Sequence, residues 1–339
     1  MKVYSGIYHL IGHTPLMEIK HFELPEGVRL FAKLEFFNPG GSIKDRLGKE
    51  LVENALQEGF VRSGGTIIEP TAGNTGIGLA LAALQYDLRI ILCVPKKFSM
   101  EKQELMRALG AIVINTPTEQ GMKGAIAKAK ELLQDIPNAY CPQQFANEAN
   151  PHTYYKTLGP ELWEDLNGRI DIFVAGAGTG GTFMGTARYL KEQNPNIKVL
   201  GVDAFGSVLK KYHETREFDN DEIYPYRIEG LGKNLIPTAT DFDAIDKFTK
   251  VTDEESAHTA REIAKKEGLF VGYTSGAAMQ AIKQFAEDGE FDENSNVVVI
   301  FPDHGSRYMS KVFSDEWMNE QGFFDSVNAE EAQKIEFIK

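Results

Sequence analysis

The chain has 339 residues, 42% hydrophobic and 25% charged, a balance typical of soluble globular proteins with room for one large domain or two. Its net charge of −13 repels phosphate backbones, which argues against a nucleic-acid partner and leaves any anionic ligand to local N–H groups or a few placed cations. No apolar run approaches the roughly 18 residues of a membrane span, and Cys93 and Cys141 are the only cysteines, so a reducing cytoplasm is expected rather than a membrane or a disulfide framework.

Along the chain, short Ile- and Val-rich runs alternate with longer amphipathic stretches. The runs predict strands over 30–34, 66–68, 90–94, 112–115, 172–175, 199–203 and 297–301. Helices are expected over 76–85, 99–109, 121–133, 152–165, 181–193, 254–267 and 276–286. Strands of this composition joined by helix-length connections indicate an α/β protein with parallel sheets covered on both faces. Ser99, with Lys102 and Gln103 nearby, is a loose helix-capping pattern. The charged, poorly periodic stretches 210–225 and 288–296 read as surface excursions. Beyond Arg307 an extra element is expected, its Trp317, Phe323 and Phe324 packing on the body or on a partner subunit.

Four loops carry the chemistry. In Asn38-Pro-Gly-Gly-Ser-Ile-Lys44 the backbone bends just before the lysine, which argues against a plain helix face. Lysine forms a Schiff base with an aldehyde cofactor once it is desolvated enough to be neutral. Thr71, Ala72, Gly73, Asn74 and Thr75 follow one strand and precede one helix. Their hydroxyls, amide and N–H groups suit a carboxylate, although Thr and Asn also serve local capping. Gly178, Thr179, Gly180, Gly181 and Thr182 also join a strand to a helix, and converging N–H groups at a helix start suit a phosphate ester. The fourth loop is 272–276. A nicotinamide reading competes at one of them: Gly176, Gly178 and Gly181 satisfy the dinucleotide spacing and Asp203 ends the next strand, but this leaves Lys44 and the other loops unused. The seven histidines show no metal-ligand spacing, so no metal is expected; His304, after a strand end, is read as structural.

These segments, with Ile11-Gly-His-Thr-Pro-Leu16, Gln143-Gln-Phe145 and Glu229-Gly-Leu-Gly232, occur in one order over roughly residues 7 to 324. In that order the chain resembles the pyridoxal-phosphate β-replacement enzymes, cysteine synthase and cystathionine β-synthase. It is most similar to a cystathionine β-synthase catalytic core without the haem segment or paired regulatory domain that some members carry. The resemblance implies pyridoxal phosphate fold type II: two open, twisted, mostly parallel sheets covered by helices, with the cofactor between two domains. The larger domain would be 1–40 and 151–310, the smaller, partly mobile one 41–150, and 311–339 a C-terminal extension, in a homodimer.

It further implies that Lys44 bears the cofactor as an aldimine and then moves the proton at Cα. Residues 178–182 would hold the phosphate and Asn74 the ring hydroxyl. Thr274, or adjacent Ser275, would meet the ring nitrogen, and a hydroxyl there makes a milder electron sink than a carboxylate would. Thr71, Ala72, Gly73, Asn74 and Thr75, with Gln144, would grip the substrate carboxylate. Glu229 and Gly230 would face the thiol. Serine or O-acetylserine would lose its β-substituent to give an aminoacrylate, to which homocysteine or sulfide adds. Two positions depart from the pattern. Ala72 replaces a usual serine, and Lys233 stands where cystathionine enzymes tend to carry tyrosine. Lys233 is expected to pair with Glu229 or with the homocysteine carboxylate.

Overall fold

In the computed structural model, which describes residues 3–71, 73–238 and 240–324, the apolar runs become strands, buried on both faces except for the partly exposed run at 112–115. Those described are β1 (Leu16–Ile19), β2 (Arg29–Leu34), β3 (Thr66–Pro70), β4 (Arg89–Pro95), β5 (Ile112–Thr116), β6 (Ala139–Tyr140), β7 (Ile172–Gly176), β8 (Lys198–Ala204), β9 (Lys247–Val251) and β10 (Asn296–Phe301). They form two sheets. One has six strands in the order β1-β2-β10-β7-β8-β9, all parallel except the β1–β2 pair. The other has four parallel strands in the order β5-β4-β3-β6.

Period-2 alternation sorts each central strand between two cores. On β10, Val298 and Ile300 enter one core while Val297, Val299 and Phe301 enter the other. On β7, Phe173 and Ala175 share the first and Ile172 and Val174 the second. Each such Val, Ile or Phe side chain contributes roughly 1.5–3 kcal/mol of burial, which holds the register, because a one-residue slip would exchange the faces.

The helices are α1 (Lys44–Gln57), α2 (Asn74–Ala83), α3 (Met100–Ala108), α4 (Gly121–Asp135), α5 (Ala149–Lys156), α6 (Leu158–Asp165), α7 (Gly181–Gln193), α8 (Leu209–Thr215), α9 (Asp253–Glu267), α10 (Tyr273–Glu287) and α11 (Asp315–Glu320). The Ser99 pattern is a cap: its hydroxyl accepts the Lys102 N–H at 3.3 Å. Thr252 and Glu255 close a capping box on α9.

Several expectations are corrected. Lys44 is the first residue of a helix, α1, whose buried Leu47, Leu51, Val52 and Ala55 form the helical stripe the bend obscured. Strands β1, β6 and β9 were not foreseen; β9 is an edge strand in which lysines alternate with Phe248 and Val251. The helix expected over 152–165 is two, divided at Thr157 (φ −122°, ψ −66°). Pro160 is the reason: it has no N–H for the Lys156 carbonyl, and its ring crowds that carbonyl. The 210–225 excursion contains α8, and its end, Ile223 to Pro225, lines the central cleft. Trp317, Phe323 and Phe324 pack on the core around β10 as expected, and Trp317 also borders the cleft. No helix among the described residues is long and apolar enough to cross a membrane.

α1 and α2 meet backbone to backbone. A Cβ on Gly48 would lie 2.2 Å from the Gly78 carbonyl carbon, and one on Gly78 would lie 2.3 Å from the Lys44 carbonyl oxygen. Only glycine permits that approach, and it sets the start of α1 beside the start of α2.

Candidate active site

The carboxyl ends of β3, β7 and β10 feed loops 71–73, 177–180 and 302–304, which open on one cleft of about 780 Å³. In open parallel sheets this edge is where ligands bind.

Lys44 lies at the floor. Its approach is tied down by backbone: the Gly40 N–H donates to Asp45, Ile43 N–H donates to the Pro302 carbonyl at 2.8 Å, and Arg307 donates to the Gly40 carbonyl. Two residues on, buried Arg46 donates to Glu35 Oε2 at 2.8 Å and to Glu161 Oε1 at 2.6 Å, while Lys33 bridges Glu161 and Asp165. The amine stands 3.5 Å from the Tyr154 hydroxyl, the outer limit of a hydrogen bond. Burial, and then the charge of Lys233, pushes its pKa from the ordinary 10.5 down to about 8.

Above it, the N–H groups at the start of α7 have no intrahelical partner. A Cβ on Gly178 would come 2.2 Å from the Gly230 carbonyl oxygen, and one on Gly181 would come 1.9 Å from Asn150 Oδ1. Gly180 takes φ +85°. Asn150 also donates to the Gln144 carbonyl at 2.9 Å and to Thr179 Oγ1 at 3.2 Å, joining this loop to the next.

At β3, Thr75 Oγ1 donates to Gln144 Oε1 at 2.7 Å, so two expected carboxylate ligands do come together. Glu69 sets Gln144 in place by accepting the Gln143 and Gln144 N–H groups at 3.0 and 3.1 Å. Burial raises the Glu69 carboxyl to about 7 despite those bonds. Thr71 and Gly73 flank Ala72, which lies outside the described residues. Asn74 is gripped from both sides, accepting from Arg307 at 2.6 Å and donating to Asp303 Oδ2 at 2.8 Å.

Thr274 and Ser275 lie in the first turn of α10, and only Thr274 borders the cleft. The Thr274 hydroxyl donates to the Glu229 carbonyl at 2.6 Å, whereas Ser275 Oγ is buried without a partner. Glu229 does not pair with Lys233. Its carboxylate takes Lys102 and Lys311, whose charges outweigh the upward push of burial and hold it below the usual range. Gly230 sits beneath Gly178, and Lys233 crosses the Phe145 ring.

Asp203 is corrected as well. Its buried carboxylate accepts the Ala204 and Lys210 N–H groups, both at 2.9 Å, and is spent where α8 begins, so the nicotinamide reading loses its ribose ligand. His304 caps the turn after β10 through Ser306, a structural role. Both cysteines are buried and free, and no metal-binding group of side chains occurs among the described residues. Sequence reasoning missed Asp303, Arg307, Tyr308, Asn150, Tyr154, Lys102 and Lys311. Asp303 alone carried a signal, a carboxylate two residues beyond a strand end.

A lysine of depressed basicity, an anion cradle that a single Cβ would fill, and a hydroxyl at a helix start together fit a phosphorylated aldehyde cofactor. They define a lysine-tethered cofactor enzyme. The chain belongs to the family described as "Pyridoxal-phosphate dependent enzyme", whose model matches residues 7–303. It is 51% identical over 311 residues to the O-acetylserine dependent cystathionine beta-synthase of Bacillus subtilis, covering 92% of this chain and 98% of that one. It is 48% identical over 313 residues to a cysteine synthase of Helicobacter pylori, covering 92% and 99%. Among solved structures, an O-acetylserine dependent cystathionine beta-synthase from Helicobacter pylori superposes with a TM-score of 0.84 at 47% identity, over 92% of this chain and 99% of that chain. A hydrogen sulfide-producing enzyme from Fusobacterium nucleatum has the same TM-score, 0.84, at 36% identity, over 90% and 100%. The protein is thus a pyridoxal-phosphate-dependent enzyme of the cystathionine β-synthase and cysteine synthase type, with the fold of that family.

Proposed function

We propose that this enzyme exchanges the β-substituent of O-acetylserine or serine for a thiol, with homocysteine as acceptor and cystathionine as product. The observation that carries the reading is the Lys44 amine, held at a pKa of about 8 on the floor of a cleft whose walls offer separate seats for a phosphate and a carboxylate.

Residues 178–182 would hold the phosphate with N–H groups and the α7 dipole. Thr274 would turn its hydroxyl from the Glu229 carbonyl to the ring nitrogen, and Asn74 would face the ring hydroxyl. Bound there, pyridoxal phosphate supplies an electron sink for the bonds at the amino acid's Cα. Thr71, Gly73, Asn74, Thr75 and Gln144 orient the substrate through its carboxylate, and Ala72 leaves that cradle one hydroxyl short. Lys44 would take the proton from Cα and return it once the thiol has added. A pKa near 8 suits both directions close to neutral pH. Glu229, held ionised by two lysines, is a weak base for a thiol and positions Lys102 and Lys311 instead. Trp317, Tyr308 and Phe145 give the cleft aromatic walls.

The 41–150 unit closes over the cleft in this reading, and the chain works as a homodimer; hydrogen exchange with and without substrate, and light scattering, test these points. Use of sulfide is the second reading, favoured by the name of the Helicobacter pylori relative. One competition assay decides between them: serine and O-acetylserine, each offered sulfide and homocysteine together, with products identified by mass. No exchange product from any pairing, with cofactor bound, would overturn the proposal.

A further inference from the structure

Lys233 enters the cleft from a peptide fixed on both sides. Its N–H donates to Ser207 Oγ at 2.8 Å, and its carbonyl accepts the Val208 N–H at 3.0 Å. The side chain is half-buried, borders the cleft, and carries its ammonium 5.5 Å from the centre of the Phe145 ring. Among the described residues no carboxylate pairs with it. The cleft's acids are committed elsewhere: Glu229 to Lys102 and Lys311, and Asp303 to Asn74 and Tyr308.

An ammonium withdrawn from water without a counter-ion is costly, and burial accordingly lowers the Lys233 pKa. A charge kept at that cost on the wall of a ligand cleft has an anion to meet. Two anion seats are already furnished without it, the N–H groups at the start of α7 and the 71–75 loop with Gln144. Lys233 belongs to neither set. Its charge reaches the reacting centre, since it is the one cation whose field helps depress Lys44. A third anion entering here would come with the second substrate.

Resting on the β-replacement reading, we propose that Lys233 receives the carboxylate of the incoming thiol, so that the cleft selects an amino-acid thiol over sulfide. The Phe145 ring beneath the ammonium gives the carbon chain of such a thiol an apolar surface to lie on. Sulfide, with no carboxylate, gains nothing from this arrangement.

The test measures kcat/KM of the holoenzyme for homocysteine, for 3-aminopropanethiol (the same thiol lacking its carboxylate) and for sulfide. Wild type, Lys233→Met and Lys233→Arg are compared. In Lys233→Met the ratio of homocysteine to 3-aminopropanethiol should fall on the order of 10- to 100-fold, as expected for losing a charged hydrogen bond, and Lys233→Arg should restore most of it. Ratios are independent of how much enzyme folds, and the visible absorbance of the cofactor reports its retention. An unmoved ratio overturns the inference. So does a rise in KM for O-acetylserine alone, or loss of cofactor, either of which would give Lys233 to another ligand. If wild type joins no thiol to either serine substrate, it is the β-replacement reading that fails.

Discussion

Replacing Gly178 by alanine tests whether the start of α7 is a phosphate seat shaped by backbone. The new Cβ would lie 2.2 Å from the Gly230 carbonyl oxygen. Carbon and oxygen rest at about 3.3 Å or more, so one partner must retreat by roughly 1 Å. Neither is a flexible side-chain end. Gly230 is braced, because the neighbouring Gly232 N–H donates to the Ala177 carbonyl at 2.7 Å. Overpacking of this kind costs about 1–3 kcal/mol. If the strain falls on the shape of the cradle, cofactor affinity weakens by about 5- to 150-fold, at roughly 1.4 kcal/mol per decade. The assay is titration of apoprotein with pyridoxal phosphate, followed by visible absorbance, with melting temperature as the check on folding. Gly6→Ala is the control, since nothing lies within 4 Å of its added Cβ. If Gly178→Ala bound the cofactor as tightly as Gly6→Ala, the cradle argument would be refuted.

Because the neutral amine is the nucleophile, covalent attachment of pyridoxal phosphate to Lys44 should accelerate with a midpoint near pH 8; in Lys233→Met the midpoint should move upward, and a midpoint above pH 10 in wild type would contradict the burial argument. Arg46→Met strands Glu35 as a buried carboxylate and leaves Glu161 with Lys33 alone, and should cost about 3–5 kcal/mol in urea unfolding at neutral pH. Burial favours the protonated form of Glu161, but Arg46 and Lys33 override it and hold the carboxyl at about 2. Its stabilisation is therefore complete above its ordinary 4.5 and lost as pH falls from 4.5 towards 2, and acid titration of Arg46→Met should show that decline blunted. Thr274→Asp should retain cofactor yet lose most turnover, since a carboxylate at that position would force a proton onto the ring nitrogen; unchanged turnover would dismiss the role given to that hydroxyl.

Most of the parallel-sheet core was readable, because Ile- and Val-rich runs such as those of β4 and β10 are buried on both faces and carry an unbroken apolar signal. The edges were not: β9 alternates lysines with Phe248 and Val251 and looks like a charged loop. The loops of the site were legible for a similar reason, since glycine and threonine at a strand-to-helix junction advertise free N–H groups. Their supports were silent. Lys102 reads as part of a charged helix, and only folding reveals that it crosses to Glu229, while Arg307 gains meaning from Asn74, which precedes it by most of the chain. Lys233 was legible as a departure, but its freedom from Glu229 required the two lysines that occupy that carboxylate.

The order of strands has a consequence for how the enzyme is made. β2 lies beside β10, pairing Leu30 with Val297, so its parallel neighbour leaves the ribosome long after β2 itself. The β5-β4-β3-β6 sheet draws on residues 66–140 alone and can assemble while synthesis continues. Pairings so distant in sequence are slow to close. Until β10 docks, Lys44 lacks the Pro302 carbonyl behind Ile43 and the Arg307 contact at Gly40, so cofactor capture waits for that strand. An arrested nascent chain ending before residue 296 should therefore leave the lysine solvated and the cofactor unbound.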